Sequence, residues 1–507
     1  MDGKGYSGCF AHIVPQFLRQ QLCLTRVILF IRDLMSGKRV FVVDAGGRGN
    51  AIAHAFARSG GVETVFVAPG NAGSEMIEKC RPAIVQGKPP KTILEMLDFA
   101  KQENIDLTFV GPEGYLSDGI VNIFQEEGQR ILGPKREAAI LENSKCRTKD
   151  LLKSLNVPVP PCQNFHDPAA AREYAQQFCS ENPGQGLVIK ADGLAAGKGS
   201  VVCSTEEEAL STIERIMVSP KLFGRAGERI EIEKRLEGRE LMFFALSDGR
   251  TVQPLESALD YKQAFSADEG VAVRLFNKLS NNPNLENNPN TGGMGGFSPH
   301  PWLDGELTEK IMNKIALPTV HGFHEATGHE YVGVIYFGLM ISEEREPFVL
   351  EINVRLGDPE TQVILPRLET DFFLLSEAVL DRKLDSVPLQ WSRDVCLGIC
   401  AVSGRAIKPH SSGGGGERPG YPGEHYTNMP LTGLEKVDPE VLVYHNGTAF
   451  GQDAAGKRRL FTTGGRVLTL VARGPSLGEA RIKAYDNIKR IRFNGMRYRK
   501  DLGQGYV

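Results

Sequence analysis

The chain has 507 residues, of which 41% are hydrophobic and 24% charged, with a formal net charge of −3. This length exceeds what one hydrophobic core supports, so three or four domains are expected. The charge balance, without a basic cluster, argues against a nucleic-acid-binding protein, and no apolar run is long enough to span a bilayer. The nine cysteines are scattered without a Cys-x-x-Cys pair, which is typical of a reducing compartment rather than a disulfide or zinc framework.

Residues 1–35 are predicted to form a leader or disordered tail before the first strand. Four basic residues stand against two acidic ones before Met35, with apolar residues from Leu22 to Ile31. This composition leaves organellar targeting open, but an upstream start before a natural Met35, or a poorly ordered tail, is the favoured interpretation. The protein is therefore expected in the cytoplasm.

A Rossmann-like βαβ domain is predicted over residues 36–137. Strands are expected at Lys38–Asp44 and Glu63–Ala68, with a helix at Ala51–Arg58 between them. Such a unit turns backbone N–H groups at the helix N-terminus towards a cleft, where they can bind an anion. A further strand delivers Glu113 to the same edge.

The next domain is predicted over residues 138–390 and begins with a helix at Ala138–Leu155. Leu187–Lys190 indicates a buried strand that ends on a cation, and glycines at 193, 197 and 199 follow it. Glycines let the backbone turn tightly around a polyphosphate. The spacing differs from the Gly-x-x-x-x-Gly-Lys-Ser/Thr loop, so the segment alone could be a flexible hairpin. Alternation over Ile230–Glu240 predicts another strand.

The segment from Leu350 to Gln362 carries the strongest signal for a metal. Strand alternation places Glu351 and Asn353 on one face, and two oxygen ligands there suit Mg²⁺ or Mn²⁺ beside phosphates. Arg355 follows on that face and can neutralise a phosphoryl group. Alone, Glu-x-Asn would more simply be a strand with surface charges.

Two other regions carry less chemistry. Three histidines between 321 and 329 lie close together, but no further ligand follows at suitable spacing, so they are interpreted as polar-face residues rather than a metal site. Residues 391–507 contain short strands, glycine turns and a closing helix at Leu477–Ile491, which predict a mixed β/α cap.

Five motifs occur in a characteristic order along the chain: Gly-Pro-Glu (111–113), Leu-Glu-Asn-Ser-Lys (141–145), Lys-Ala-Asp-Gly-Leu-Ala-Ala-Gly-Lys-Gly (190–199), Asn-Thr-Gly-Gly-Met-Gly (290–295) and Glu-Ile-Asn-Val-Arg-Leu-Gly-Asp-Pro-Glu (351–360). Together they resemble the phosphoribosylamine–glycine ligase family of the ATP-grasp superfamily. The resemblance implies a multidomain α/β (α+β) ATP-grasp fold with a lid subdomain near residues 158–231. It also implies ATP-dependent ligation of glycine to 5-phosphoribosylamine through glycyl phosphate, by a monomer or weak homodimer.

The resemblance further implies a role for individual residues. Those expected to bind ATP are Lys149, Lys190, Gly193, Ala196, Gly197, Lys198, Gly199, Glu233, Leu236 and Glu240. Those expected to contact the other substrates are Gly47, Arg48, Glu113, Asn290, Thr291, Gly292, Gly293, Met294, Gly295, Asp358 and Glu360. The catalytic residues would be Arg355, Lys262 and Asp260, and the metal ligands Glu351 and Asn353.

Three departures from the family pattern bear on the amine acceptor. Gly49 and Asn50 stand where an acid and a histidine are usual, and Tyr261 replaces a second histidine. Residues 271–288 form an insertion, Asn-rich from 281, which could cover the site or, as favoured, bulge outward. The alternatives are therefore a related ATP-grasp carboxylate–amine ligase with a different acceptor, and a non-catalytic nucleotide-binding protein.

Overall fold

The structure is a computed structural model and describes residues 37–193, 199–218, 223–280, 288–407 and 417–507. The α-helices are α1 (Gly47–Arg58), α2 (Ile93–Gln102), α3 (Glu113–Ser117), α4 (Ile120–Glu126), α5 (Arg136–Asn143), α6 (Lys145–Ser154), α7 (Pro168–Glu181), α8 (Glu206–Ile213), α9 (Gly270–Ser280), α10 (Gly305–Ile311), α11 (Leu317–Thr327), α12 (Glu360–Ile364), α13 (Phe372–Leu380) and α14 (Leu477–Ile488). Across these ranges, no helix combines the length and apolar character needed to span a membrane.

The strands are β1 (Lys38–Asp44), β2 (Val62–Pro69), β3 (Cys80–Pro82), β4 (Leu107–Val110), β5 (Ile131–Leu132), β6 (Cys162–Phe165), β7 (Leu187–Ala191), β8 (Ser200–Cys203), β9 (Ile230–Lys234), β10 (Arg239–Asp248), β11 (Val252–Pro254), β12 (Leu259–Asp260), β13 (Gly295–Ser298), β14 (Val332–Ile341), β15 (Pro347–Asn353), β16 (Val395–Ser403), β17 (Ala406–Ile407), β18 (Glu417–Arg418), β19 (Pro430–Leu431), β20 (Leu442–His445), β21 (Thr448–Gln452), β22 (Arg458–Thr462), β23 (Arg466–Gly474) and β24 (Met496–Arg497).

The N-terminal sheet is parallel, with the strand order β3-β2-β1-β4-β5. Its central strand β1 is buried from Val40 to Asp44, as expected for a parallel strand covered on both faces. The prediction for β1 is confirmed, whereas α1 begins at Gly47 and not at Ala51. The reason is close approach: a Cβ at Gly47 would lie 2.7 Å from the Asn446 amide. Gly47 is therefore the first residue of the helix, where it allows close packing against Asn446, and it does not form a turn before the helix.

Two antiparallel sheets form the central region. The first, β6-β9-β7-β8, comes from residues 162–234, a range close to the one predicted for the lid subdomain (158–231), and the second is β11-β10-β14-β15. The prediction of one helix over 138–155 is wrong, because Ser144 adopts extended backbone and caps α6 by accepting from Arg147 N. The single strand predicted over 230–240 is also wrong: the chain turns between β9 and β10, where Gly238 has φ of +151°.

The C-terminal region is not an isolated cap. Its main sheet has the order β12-β13-β16-β23-β20, with β24 also paired to β16, so two strands that precede β14 in the chain join four that follow residue 391. Helix α14 packs on β16 and β23 and ends at Ile488, three residues before the predicted end. The chain leaves the helix there because Arg492 pairs with Thr432.

The described part of the insertion is helical, which the sequence did not indicate. Helix α9 covers most of it, and residues 281–287 lie outside the described ranges. Phe276 in α9 packs edge-on against Phe265, with ring centroids 5.6 Å apart. A Cβ added at Gly423 would lie 3.3 Å from the Phe276 ring, so the two residues are close neighbours. The helix therefore packs against the C-terminal region.

Candidate active site

Two buried lysines converge on the strand that carries the metal motif. Lys149 of α6 donates from Nζ to the Val349 carbonyl (2.7 Å), and Lys190 of β7 donates to the Leu350 carbonyl (2.7 Å). Glu233 lies 3.1 Å from Lys149 Nζ and forms an ion pair with Lys190. Burial acts to raise the pKa of Glu233, but the two ammonium groups outweigh it and lower that pKa. These two lysines form a cationic site suited to a polyphosphate.

Glu351 and Asn353 belong to β15, the strand that Lys149 and Lys190 contact. Asn353 also contacts Arg355, as expected if the two residues share one face. Arg355 Nη2 donates to Asn353 Oδ1 over 3.2 Å, while the buried Nδ2 of Asn353 has no hydrogen-bond partner within the described ranges. Lys262 Nζ lies 3.3 Å from Glu351 Oε1, and its charge, opposed by burial, lowers the pKa of Glu351 to about 2. Glu351 is therefore an ionised oxygen donor at neutral pH.

This donor set fits a hard divalent cation. In the described part of the chain, no group of three or more His, Cys, Asp and Glu side chains could hold a metal ion. Mg²⁺ at nucleotide sites commonly takes only one or two protein ligands and the rest from phosphates and water. Glu351 and Asn353 would supply ligands of this kind beside Lys149 and Lys190.

Arg355 connects this region to the N-terminal sheet. Its Nε lies 3.2 Å from Glu113 Oε2, and its Nη2 donates to Glu142 Oε1 over 2.9 Å. Glu142 also accepts from the Val354 N–H (2.8 Å). Glu142 belongs to the Leu-Glu-Asn-Ser-Lys motif (141–145) but was not among the predicted site residues. The two carboxylates hold the guanidinium beside Asn353, so its orientation is fixed by Glu113 of the N-terminal region and by Glu142 of α5.

The glycine-rich loop after residue 289 packs against the buried carboxyl group of Asp260. A Cβ at Gly293, where φ is +111°, would lie 2.3 Å from Pro359 Cδ and 2.8 Å from Asp260 Oδ1, so only glycine fits. Asp260 Oδ1 has no hydrogen-bond partner in the described ranges. Burial and the nearby Glu360 raise the pKa of Asp260. Glu360 accepts from Tyr336 Oη over 2.9 Å, so Asp260 and Glu360 are two nearby acids with different environments.

Arg466 of β23 reaches into the site, and sequence analysis did not assign it. Its Nη1 donates to the carbonyls of Gly292 (2.6 Å) and Asp358 (2.8 Å), and its Nη2 lies 3.0 Å from Asp358 Oδ2. Tyr421 Oη accepts from the Gly292 N–H over 3.0 Å. The available signal was Gly-Gly-Arg-Val-Leu at 464–468, where the sequence again resembles the family. The C-terminal region thus positions the glycine-rich loop.

The N-terminal loop accommodates both of its departures from the family pattern. Arg48 Nε pairs with Asp44 Oδ2 over 2.7 Å. A Cβ at Gly49 would lie 2.4 Å from Asp44 Cβ, so the glycine leaves room for that carboxylate. Asn50 Oδ1 accepts from the His445 backbone N–H over 2.9 Å. Asp44 therefore supplies an acid beside Arg48, and Asn50 connects α1 to β20.

The remaining predicted residues are placed as follows. Ala196, Gly197 and Lys198 lie outside the described residues. Gly193 accepts from Lys145 Nζ through its carbonyl (3.1 Å), and the Gly199 carbonyl accepts from Ala191 N (2.8 Å). Leu236 lies between β9 and β10, and Glu240 is exposed near the start of β10. Asn290 forms an isolated antiparallel β-bridge with Gln263. Thr291 donates to the Lys262 carbonyl from its backbone N (2.7 Å) and from Oγ1 (2.8 Å).

Known proteins are similar to this chain over most of its length. Models of the N, ATP-grasp (A) and C domains of phosphoribosylglycinamide synthetase match residues 38–142, 143–361 and 418–505. A phosphoribosylamine–glycine ligase of Archaeoglobus fulgidus is 46% identical over 484 residues, covering 92% of this chain and 99% of the relative. The chain belongs to the phosphoribosylglycinamide synthetase family. A ligase of the same name from Neisseria meningitidis serogroup B is 38% identical over 464 residues, covering 92% of this chain and 98% of the relative.

Solved structures share the fold of this chain, whose central region matches the ATP-grasp model. The crystal structure of phosphoribosylamine–glycine ligase from Thermotoga maritima superposes with a TM-score of 0.67 at 26% identity, covering 92% of this chain and all of that one. Biotin carboxylase from Campylobacter jejuni gives a TM-score of 0.61 at 14% identity, covering 92% and 94% of the two chains, which shows a shared fold alone. The predicted fold class and family are confirmed.

Tyr261 shows how this phosphoribosylglycinamide synthetase family member tolerates another departure. Its Oη accepts from the Gly503 N–H over 2.9 Å, and the Arg499 guanidinium lies 5.0 Å from the ring centroid. The Tyr261 backbone holds the glycine-rich loop by bonding Met294 and Gly295. The side chain therefore packs on the C-terminal region, whereas its neighbour Lys262 reaches Glu351.

We expect Tyr261→Phe to change stability and leave catalysis intact. The substitution removes one partly buried hydrogen bond, which costs about 1 kcal/mol of unfolding free energy, and it removes nothing that faces Lys262. Urea unfolding and steady-state kinetics measure the two effects separately. A large increase in KM for the amine substrate, with stability unchanged, would contradict this placement.

Proposed function

We propose that the chain ligates glycine to 5-phosphoribosylamine at the expense of ATP, giving glycinamide ribonucleotide, ADP and phosphate in de novo purine biosynthesis. The observation that carries this proposal is the convergence of Lys149 and Lys190 on the β15 carbonyls beside Glu351 and Asn353. Membership of the phosphoribosylglycinamide synthetase family supports it.

A carboxylate oxygen must become a leaving group before an amine can displace it. In the proposed reaction, a glycine carboxylate oxygen attacks the γ-phosphorus of ATP, the bond to ADP breaks, and glycyl phosphate forms. The amine of 5-phosphoribosylamine then attacks the glycyl carbonyl carbon, phosphate leaves with that oxygen, and the nitrogen loses a proton. Both steps depend chiefly on positioning and on neutralising phosphoryl charge.

The lysine pair and Arg355 would provide that neutralisation. Lys149 and Lys190 would bind the ATP phosphates, and Arg355, oriented by Glu113 and Glu142, would face the transferred phosphoryl group. Mg²⁺ or Mn²⁺, when bound by Glu351 and Asn353, would offset charge that develops on the phosphate oxygens. Glu233, Leu236 and Glu240 would line the nucleotide, as the family resemblance implies.

The remaining carboxyl groups divide between substrate and structure. Both oxygens of Asp358 are engaged, by Gln362 Nε2 at 2.6 Å and by Arg466. We therefore assign the glycine ammonium to Glu360, which lies near Asp260, the acid that contacts the glycine-rich loop. Gly47 and Arg48 would bind 5-phosphoribosylamine at the α1 N-terminus.

An omission assay tests this function. ADP release is measured with glycine, ATP, Mg²⁺ and phosphoribosylamine generated in situ, and each component is left out in turn. Turnover that requires all four supports the proposal. ATP binding without turnover, followed by activity with another amine, would favour a related ligase, the candidate motivated by Gly49 and Asn50. A cytoplasmic location and a monomer or weak homodimer stay predictions.

A further inference from the structure

Glu231 is a buried carboxyl group that the proposed reaction does not use. It is 0% exposed, and its Oε1 lies 3.7 Å from Lys190 Nζ and 4.0 Å from Lys149 Nζ. Neither of its oxygens accepts a hydrogen bond from any donor in the described ranges. An ionised carboxylate without a hydrogen-bond donor is costly to bury, so this position requires a specific explanation.

Strand geometry directs Glu231 and Glu233 to the same lysines. The two residues are separated by one position in β9 and lie on one face, and Lys190 is the cross-strand partner of Glu231. Glu233 takes the close contacts with both ammonium groups, whereas Glu231 is near them without bonding. Burial first, and then the Glu233 charge, raise the pKa of Glu231 against the opposing effect of the lysines.

Glu231 and Glu233 lie on one face of β9 beside the same two ammonium groups, and their interaction raises the pKa of Glu231 and lowers that of Glu233, so a proton on Glu231 would be donated to Glu233. The arrangement explains why Glu231 needs no other donor: in its neutral form it is itself the donor. With Glu231 neutral, the cluster of Lys149, Lys190, Glu231 and Glu233 carries a net charge of one positive unit, and with Glu231 ionised it carries none.

Two thiols, Lys190 and Glu233 near Glu231 have pKa values shifted away from neutrality. Burial raises the pKa of Cys146 to about 12 and also raises the pKa of Cys162. Burial lowers the pKa of Lys190, but Glu233 and Glu231 outweigh it and raise that pKa. The pKa of Glu233 is lowered. Lys149 completes the set of charged groups that face Glu231. A change of net charge in this cluster is therefore assigned to Glu231.

We propose that Glu231 is a proton-dependent regulator of nucleotide affinity: neutral Glu231 leaves the charge of the lysine pair available to ATP phosphates, and ionised Glu231 cancels part of it. This inference rests on the proposed function, because it takes Lys149 and Lys190 as phosphate ligands. By linkage, bound nucleotide favours the protonated form, and nucleotide affinity falls as pH rises, by at most about tenfold per pH unit for one proton.

The test compares ATP affinity across pH in three proteins. Dissociation constants for ATP with Mg²⁺ are measured by calorimetry from about pH 6.5 to about pH 9.5 for the unmodified chain, Glu231→Gln and Glu228→Gln. Glu228 is an exposed acid just before β9 and controls for the change in net charge. We expect Glu231→Gln to match the unmodified chain at low pH and to bind ATP more tightly at high pH, with Glu228→Gln following the unmodified chain.

A second measurement uses the unmodified protein and remains decisive if Glu231→Gln does not fold. Binding enthalpies for ATP in buffers of different ionisation enthalpy report proton uptake, which should be greatest near the midpoint of the affinity profile. Absence of proton uptake, or identical profiles for Glu231→Gln and the unmodified chain, would overturn the role of Glu231. Absence of ATP binding at every pH would instead contradict the proposed function.

Discussion

We expect Glu351→Gln to lower the ligation rate by about 10²–10⁴. The substitution keeps the size of the side chain and removes the negative charge that suits a hard cation. It also leaves Lys262 without the carboxylate that lies 3.3 Å from its Nζ. Because phosphoryl transfer depends on neutralising phosphate charge, the loss should fall mainly on kcat.

The measurement is initial rate as a function of Mg²⁺ concentration for Glu351→Gln and for Glu343→Gln. Glu343 is an exposed acid in the turn between β14 and β15, so its substitution changes net charge equally without approaching the site. We expect Glu343→Gln to retain the rate and Mg²⁺ dependence of the unmodified chain. Near-normal turnover by Glu351→Gln would refute the assignment of the metal ligand.

The second large effect is expected for Lys190→Met, which should weaken ATP binding and lower kcat, together by about 10²–10⁴ in kcat/KM. The substitution removes one of two phosphate-binding cations and leaves Glu233 with Lys149 alone. Breaking a buried ion pair by removing one partner also costs about 3–5 kcal/mol of unfolding free energy. Both activity and stability should therefore decrease.

Lys153→Met is the matched control for Lys190→Met. Lys153 is an exposed lysine one turn after Lys149 in α6, and it donates to the Cys162 carbonyl over 2.6 Å. ATP titration calorimetry and urea unfolding of both variants separate affinity from stability. The phosphate-binding role of Lys190 is contradicted if Lys190→Met is destabilised but binds ATP as tightly as Lys153→Met.

Local pattern predicted the elements whose environment is uniform along their length. β1 has the predicted bounds because its apolar run is buried throughout, and the alternation of β15 placed Asn353 beside Arg355. The break at Ser144 could not be seen in this way, because a helix continues through serine at small cost. Its extended backbone is supported by contact with the distant Asp192, whose carboxylate accepts from Ser144 Oγ over 2.9 Å.

Residues of the candidate site could be proposed from the sequence where they match the family pattern. Residues that distant segments of the chain bring to the site could not. Lys149 and Lys190 were assigned to the candidate site from the family resemblance, but Glu231 was not, because the environment of a buried acid in a strand is known only once its partners are known. Arg466 contacts Asp358, which is 108 residues away in sequence. The periodicity of hydrophobic residues within a helix or strand cannot predict a contact between such distant segments. Helix α9 was not predicted, because the Asn-rich residues from 281 indicated a loop and the helix lies entirely before them.

Transfer of oxygen from glycine to phosphate tests the central claim most directly. The omission assay is run with glycine labelled with ¹⁸O in both carboxylate oxygens, and the products are analysed by mass spectrometry. Activation of the carboxylate as glycyl phosphate predicts phosphate with one ¹⁸O and glycinamide ribonucleotide with the other. Unlabelled phosphate, released while the amide forms, would contradict carboxylate activation at the site built around Lys149, Lys190 and Glu351.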